Sequence, residues 1–165
     1  MSGEARLVLR LSGDGVAVAG CLEERVCRAL EERGYLRGGL LDPFEAGYML
    51  ARCTARLEEG GCGWVEALRA AGLGGAAEMF LVYFDLRRRG RIVRRGIRRG
   101  TLLVYKGGVA RVEVRVLVEG SPVSIGDLIE WSRTAAGDGK EPVIAVVSGH
   151  GDVTYYSARA VTSFR

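Results

Sequence analysis

The sequence predicts an α/β protein built as two small domains. Three observations lead there. Stretches with the two-residue alternation of strands interleave with stretches of helical spacing along the whole chain. Apolar residues make up 48% of the 165, enough for a real core, yet no apolar run reaches the roughly 18 residues of a membrane span. The pattern then breaks at AGLGG, residues 71–75, where clustered glycines mark a boundary. The expected domains are residues 1–73, small and mixed α/β, and 74–165.

In the first domain, apolar residues 7–11 and 16–19 flank SGDG, a hairpin signal. Residues 22–33 carry Val26 and Leu30 at helical spacing, and Gly34 stops that helix. Pro43 opens a second expected helix over 43–57, since proline suits a first helical turn. Residues 64–71 form a short third one. The second domain begins with a helix over 76–89. Its apolar face holds Phe80, Leu81, Tyr83 and Phe84, and Asp85 and Arg89 are spaced for an ion pair one turn apart. Strands follow at 91–95 and 101–105. Residues 110–118 alternate, with Val112, Val114, Val116 and Val118 on one face and Arg111, Glu113 and Arg115 on the other. Ser124 caps a helix to about residue 136. Residues 142–147 read as a strand buried on both faces. SGHG turns the chain and 152–156 returns, with a continuation toward 161–164. The order is helix, three strands, helix, two strands.

Charge is concentrated. Residues 87–99, RRRGRIVRRGIRR, hold eight arginines and no acid, so the rest of a chain of net charge +4 is mildly acidic. Guanidinium forks pair with phosphate oxygens, and a localised basic patch is the footprint of a nucleic-acid partner. The plainer alternative is a solvated arginine face, because lysine occurs only at Lys106 and Lys140. Asn and Gln are absent, which fits a hyperthermophilic or GC-rich source. Cys21, Cys27, Cys53 and Cys62 form no Cys-x-x-Cys pair and the single histidine lies far off, so no metal site or cofactor is expected. Buried thiols are the default, with a Cys53–Cys62 disulfide as the alternative. The N-terminus has no secretory pattern, and a cytoplasmic, membrane-free protein is expected.

Two blocks carry a resemblance. YFDLRRRGRIVRRGIRRGTLLVY (residues 83–105) and KEPVIAVVSGHGDVTYY (residues 140–156) resemble the archaeal tRNA-splicing endonuclease family. The first block keeps Tyr83, Asp85, Leu86, Arg87, Arg89, Gly90, Val93, Gly96, Gly100 and Tyr105 of the family pattern. The resemblance implies a restriction-endonuclease-like α/β fold for the second domain. It also implies metal-free removal of introns from precursor tRNA at bulge–helix–bulge sites, leaving 2′,3′-cyclic phosphate and 5′-hydroxyl ends. In such enzymes a tyrosine is general base, a histidine general acid, and a lysine stabilises the transition state.

Tyr105 and Lys140 fall on the tyrosine and lysine positions. Val109 falls on the histidine position, after a shortened loop. The resemblance therefore implies a non-catalytic, structural subunit in which Tyr105 and Lys140 are vestigial, paired with a homologous catalytic subunit in an α2β2 assembly. Arg133 matches a family arginine that stacks on a bulged base. With it, Arg94, Arg95, Arg98 and Arg99 are the expected RNA-binding residues. Asp152 matches a loop that docks on a neighbouring subunit. His150, Val153 and Tyr155 join it as the expected interface, with His150 read as a turn residue and not as the missing acid. Two other classes stay open: a plain RNA-binding module, and a self-sufficient nuclease grouping Glu113, Asp127 and Lys140.

Overall fold

The chain divides between Ala77 and Glu78 into two units, each organised on a five-stranded sheet. The computed structural model describes residues 5–13 and 15–159. The expected continuation over 161–164 lies outside them.

In the first unit, β1 (Leu7–Ser12) and β2 (Gly15–Cys21) form the antiparallel hairpin. Helix α1 (Glu24–Glu32) follows, then two-residue strands β3 (Leu36–Arg37) and β4 (Leu40–Leu41). Helix α2 (Pro43–Ala51) is capped by Asp42, whose carboxylate accepts from Phe44 N at 2.9 Å and Glu45 N at 3.2 Å. Strand β5 (Ala55–Leu57) and helix α3 (Trp64–Ala70) complete the unit, with sheet order β3-β4-β2-β1-β5. Leu7, Leu9, Val16, Phe44 and Leu50 make its core.

Two expectations fail in this unit. The helix expected over 43–57 ends at Ala51. Cys53 takes φ 51°, and Cys53 N and Thr54 N donate back to Leu50 O and Met49 O, closing the helix. Residues 55–57 then pair in parallel with β1, a tertiary partner that local periodicity does not see. The cysteines also pair otherwise than expected. Cys21 and Cys27 are joined by a disulfide, Cα–Cα 6.4 Å, between the end of β2 and α1. Cys53 and Cys62 are free, Cys53 is exposed, and neither is a buried core thiol. A hydrogen bond between these two thiols, then burial, pushes the Cys62 thiol up.

The second unit runs α4 (Ala77–Arg88), β6 (Ile92–Arg95), β7 (Thr101–Lys106), β8 (Val109–Val118), α5 (Ile125–Gly137), β9 (Glu141–Val147) and β10 (Val153–Ser157). This is the element order expected from the sequence. Ser124 caps α5 by accepting from Asp127 N at 3.2 Å. The Asp85–Arg89 pair forms at 2.8 Å. The sheet order is β10-β9-β8-β7-β6; only β8 and β9 are parallel, joined by the α5 crossover.

Register and alternation place the two helices on opposite faces of this sheet. Tyr155, in one row with Ala145 and Val116, donates to Asp85 of α4 at 2.8 Å. Glu113, on the other face of β8, accepts from Trp131 Nε1 of α5 at 3.0 Å. Hence Glu113, on the same face of β8 as Arg111 and Arg115, is 1% exposed. The alternation divides the side chains between two faces as expected, but β8 is the third of five strands and α5 covers its polar face.

Candidate functional site

One end of the second sheet gathers most of the singled-out residues. Tyr105 is the penultimate residue of β7, Val109 opens β8, and Lys140 immediately precedes β9. Tyr105 pairs with Ala110, and Val112 pairs with Glu141, so Tyr105 and Lys140 stand at the same end with β8 between them. The connection from β7 to β8 is a two-residue turn of Gly107 (φ 60°) and Gly108 (φ 78°). Both conformations favour glycine, and the turn leaves no room for a longer loop. Val109 pairs with Lys106 and is 50% exposed.

The Arg94 guanidinium lies over the Tyr105 ring, 4.8 Å from its centroid. Such a cation–π contact orients the phenol and occupies the arginine.

The turn from Gly96 to Gly100 sets Arg98. Gly96 N donates to Thr101 O at 2.8 Å, and a side chain at Gly96 would strike the Thr101 hydroxyl. That hydroxyl donates to Arg98 O at 2.7 Å, on a residue itself buried. Arg98 then reaches inward. Its Nη1 donates to Glu113 Oε2 at 2.6 Å and its Nη2 to Asp138 Oδ2 at 2.7 Å. Lys140 Nζ donates to the same Asp138 oxygen at 3.2 Å. Arg98 first and Lys140 second hold the Asp138 carboxyl below the usual carboxylate range.

Beside this cluster opens a cavity of about 570 Å³, lined by Ser132, Arg133, Lys140, Glu141, Pro142 and Arg159 among others. The segment after β10 forms part of its wall. Ser132 Oγ donates to Ala158 O, and Ala158 N donates to Pro142 O at 3.0 Å, which brings Arg159 within 3.8 Å of Glu141.

The five arginines expected to bind RNA are therefore in different situations. Arg95, Arg99 and Arg133 are exposed, Arg94 stacks on Tyr105, and Arg98 is committed to two carboxylates. Sequence reasoning missed the acids that take Arg98, because both lie far from it along the chain. It also missed Ile97, which is 101% exposed at the tip of the β6–β7 turn. The grouping of Glu113, Asp127 and Lys140 is not assembled. Glu113 is tied to Arg98 and Trp131, and Asp127 lies in the first turn of α5, about 15 Å of helix from its far end.

The β9–β10 turn stands at the other end of β9 from Lys140, roughly 20 Å away for a strand of this length. Its Ser148 hydroxyl accepts from His150 N at 3.3 Å and Asp152 N at 3.1 Å, and Ser148 N donates to Asp152 O at 2.9 Å. His150 and Asp152 are both exposed. On edge strand β10 the outward side chains are Thr154 and Tyr156, the latter 55% exposed. Val153 and Tyr155, the other expected interface residues on this strand, are half-buried, because alternation turns them toward α4. Burial first, and the Asp85 hydrogen bond second, push the Tyr155 phenol well above its usual range.

Comparison with known proteins names the class. Residues 76–155 match the family model described as tRNA intron endonuclease, catalytic C-terminal domain, and residues 5–73 match the tRNA-intron endonuclease SEN2-like N-terminal domain. The tRNA-splicing endonuclease of Methanothermobacter thermautotrophicus is 30% identical over 125 residues, covering 70% of this chain and 74% of that protein. Those of Thermococcus gammatolerans (38% over 86 residues) and Pyrococcus furiosus (40% over 80) align with 50% and 47% of this chain. The chain spans about half the length of these last two, 51% and 47%. The chain belongs to the tRNA-splicing endonuclease family. No helix among its described residues is long and apolar enough to cross a membrane.

Proposed function

We propose that this chain is a structural subunit of a tRNA-splicing endonuclease. It supports assembly and precursor-tRNA binding, while a homologous subunit excises the intron at bulge–helix–bulge sites and leaves 2′,3′-cyclic phosphate and 5′-hydroxyl ends. The two subunits form an α2β2 assembly, and the work is done in the cytoplasm.

The carrying observation is Val109 beside a two-residue glycine turn, where the family resemblance calls for a histidine. Cleavage by a ribose 2′-hydroxyl needs one group to take its proton and another, within about 3 Å, to protonate the departing 5′-oxygen. Tyr105 could serve only the first role. His150 lies roughly 20 Å away along β9.

The purified chain alone is expected to leave a bulge–helix–bulge RNA uncut, with or without magnesium. Site-specific single-chain cleavage refutes the reading. In the assembled enzyme, Tyr105→Phe and Lys140→Ala in this chain should change the rate by no more than a few-fold. A fall of about 100-fold, the scale of a lost acid or base, means that this chain supplies an active site.

RNA binding is assigned to the exposed cations Arg95, Arg99 and Arg133. Arg95→Ser with Arg99→Ser should flatten the dependence of log K on log salt by about 0.7–0.9 for each phosphate contact removed. An unchanged slope in a binding titration places this edge away from RNA.

A further inference from the structure

Asp138 breaks a local rule. It stands at the C-terminal end of α5, whose last turn holds no basic residue. The partial negative charge of a helix C-terminus disfavours a carboxylate there unless cations compensate it. Here two do. Arg98 Nη2 lies 2.7 Å and Lys140 Nζ 3.2 Å from the same carboxylate oxygen.

The arrangement is anchored from inside the fold. Arg98 is held by Glu113 at 2.6 Å, and the other oxygen of that buried carboxylate accepts from Trp131 Nε1. Two cations, Arg98 and Lys140, face two anions, Glu113 and Asp138, so the cluster is neutral. Lys140 lines the cavity shared with Arg133 and Arg159, yet its side chain is only 18% exposed and its charge is already matched.

We infer that Asp138 is an internal counter-anion, occupying on Lys140 the place that an RNA phosphate oxygen would take, and so closing this corner of the cavity to phosphate. This deepens the non-cleaving reading: the lysine is kept but is removed from RNA chemistry by a carboxylate of the same chain. The carboxyl stays ionised through the neutral range, since both of its cationic partners depress its pKa. Removing its charge frees one positive charge at the cavity wall. Asp138 is exposed at a helix end, so Asp138→Asn keeps size and hydrogen-bonding capacity while deleting the charge.

The test titrates full-length protein with inorganic phosphate at neutral pH, following the Gly139 and Lys140 backbone amides by NMR. The wild-type chain should show no saturable response at these amides. Asp138→Asn should acquire one, and Asp138→Asn with Lys140→Ala should lose it again. An equal response in wild type and Asp138→Asn overturns the inference, as does a gained response that survives removal of Lys140. A parallel titration with bulge–helix–bulge RNA separates this from the RNA-binding reading. Asp138→Asn should steepen the salt dependence by about 0.7–0.9, one phosphate contact. If the wild-type chain binds RNA with no salt dependence, the RNA-binding reading fails, while the phosphate titration still decides the role of Asp138.

Discussion

Arg98→Met is expected to destabilise the chain by about 3 kcal/mol, the lower end of the cost of breaking a buried ion pair. The substitution leaves the Glu113 carboxylate, 1% exposed, with Trp131 Nε1 as its only remaining partner among the hydrogen bonds described above. Water reaches one side of the guanidinium, which is 37% exposed, and this keeps the cost from being larger. For a chain of this length such a loss lowers Tm by about 6–12 °C. Arg98→Met combined with Glu113→Leu should recover part of it, since an apolar pair needs no compensation and only the indole N–H loses its acceptor. Chemical denaturation of the three proteins checks this. A cost below about 1 kcal/mol for Arg98→Met would mean that Arg98 is a surface residue, available to RNA after all.

Asp152→Arg is expected to abolish the proposed α2β2 species in light scattering of the mixed subunits, at concentrations where the proposed wild-type assembly forms. Removing one member of a docked charge pair costs about 2–5 kcal/mol, a factor of roughly 30 or more in affinity. The turn is suited to docking because it is already formed. The Ser148 hydroxyl and amide hold the backbone of His150 and Asp152, so little conformational freedom is lost on binding. The substitution should leave the isolated chain intact, since the Asp152 side chain is exposed. Assembly that ignores Asp152→Arg refutes the loop-docking role and moves the interface to edge strand β10. Tyr156→Asp should then be the disruptive change, because Tyr156 is the aromatic side chain this edge presents to solvent. Monomers of both wild-type chains after mixing would refute the subunit reading itself.

The element order of the second unit was legible because its signals are local. Ser124 caps α5 through a bond to Asp127 N, Asp85 and Arg89 pair across one helical turn, and β8 alternates with period two. The end of α2 was not legible. Residues 55–57 suit a helix as well as a strand by composition, and pairing with β1, nearly fifty residues earlier, decides between them. The two-residue strands β3 and β4 are too short to show any period. The Cys21–Cys27 disulfide needed the spatial approach of the end of β2 to α1.

For the candidate site the division follows the same physics. The two-unit α/β plan, the family and the concentration of arginine in residues 87–99 were legible before folding is considered, since all of them rest on residue type and spacing. What the charges described above do is set by contacts that form only on folding. Folding set Arg98 between Glu113 and Asp138, stacked Arg94 on Tyr105, and left Arg95, Arg99 and Arg133 exposed to solvent. It also turned Tyr155 inward to Asp85 and Tyr156 outward. A charge's role depends on which carboxylate, ring or solvent lies within a few ångströms, and those neighbours come from chain segments 11 to 70 residues away.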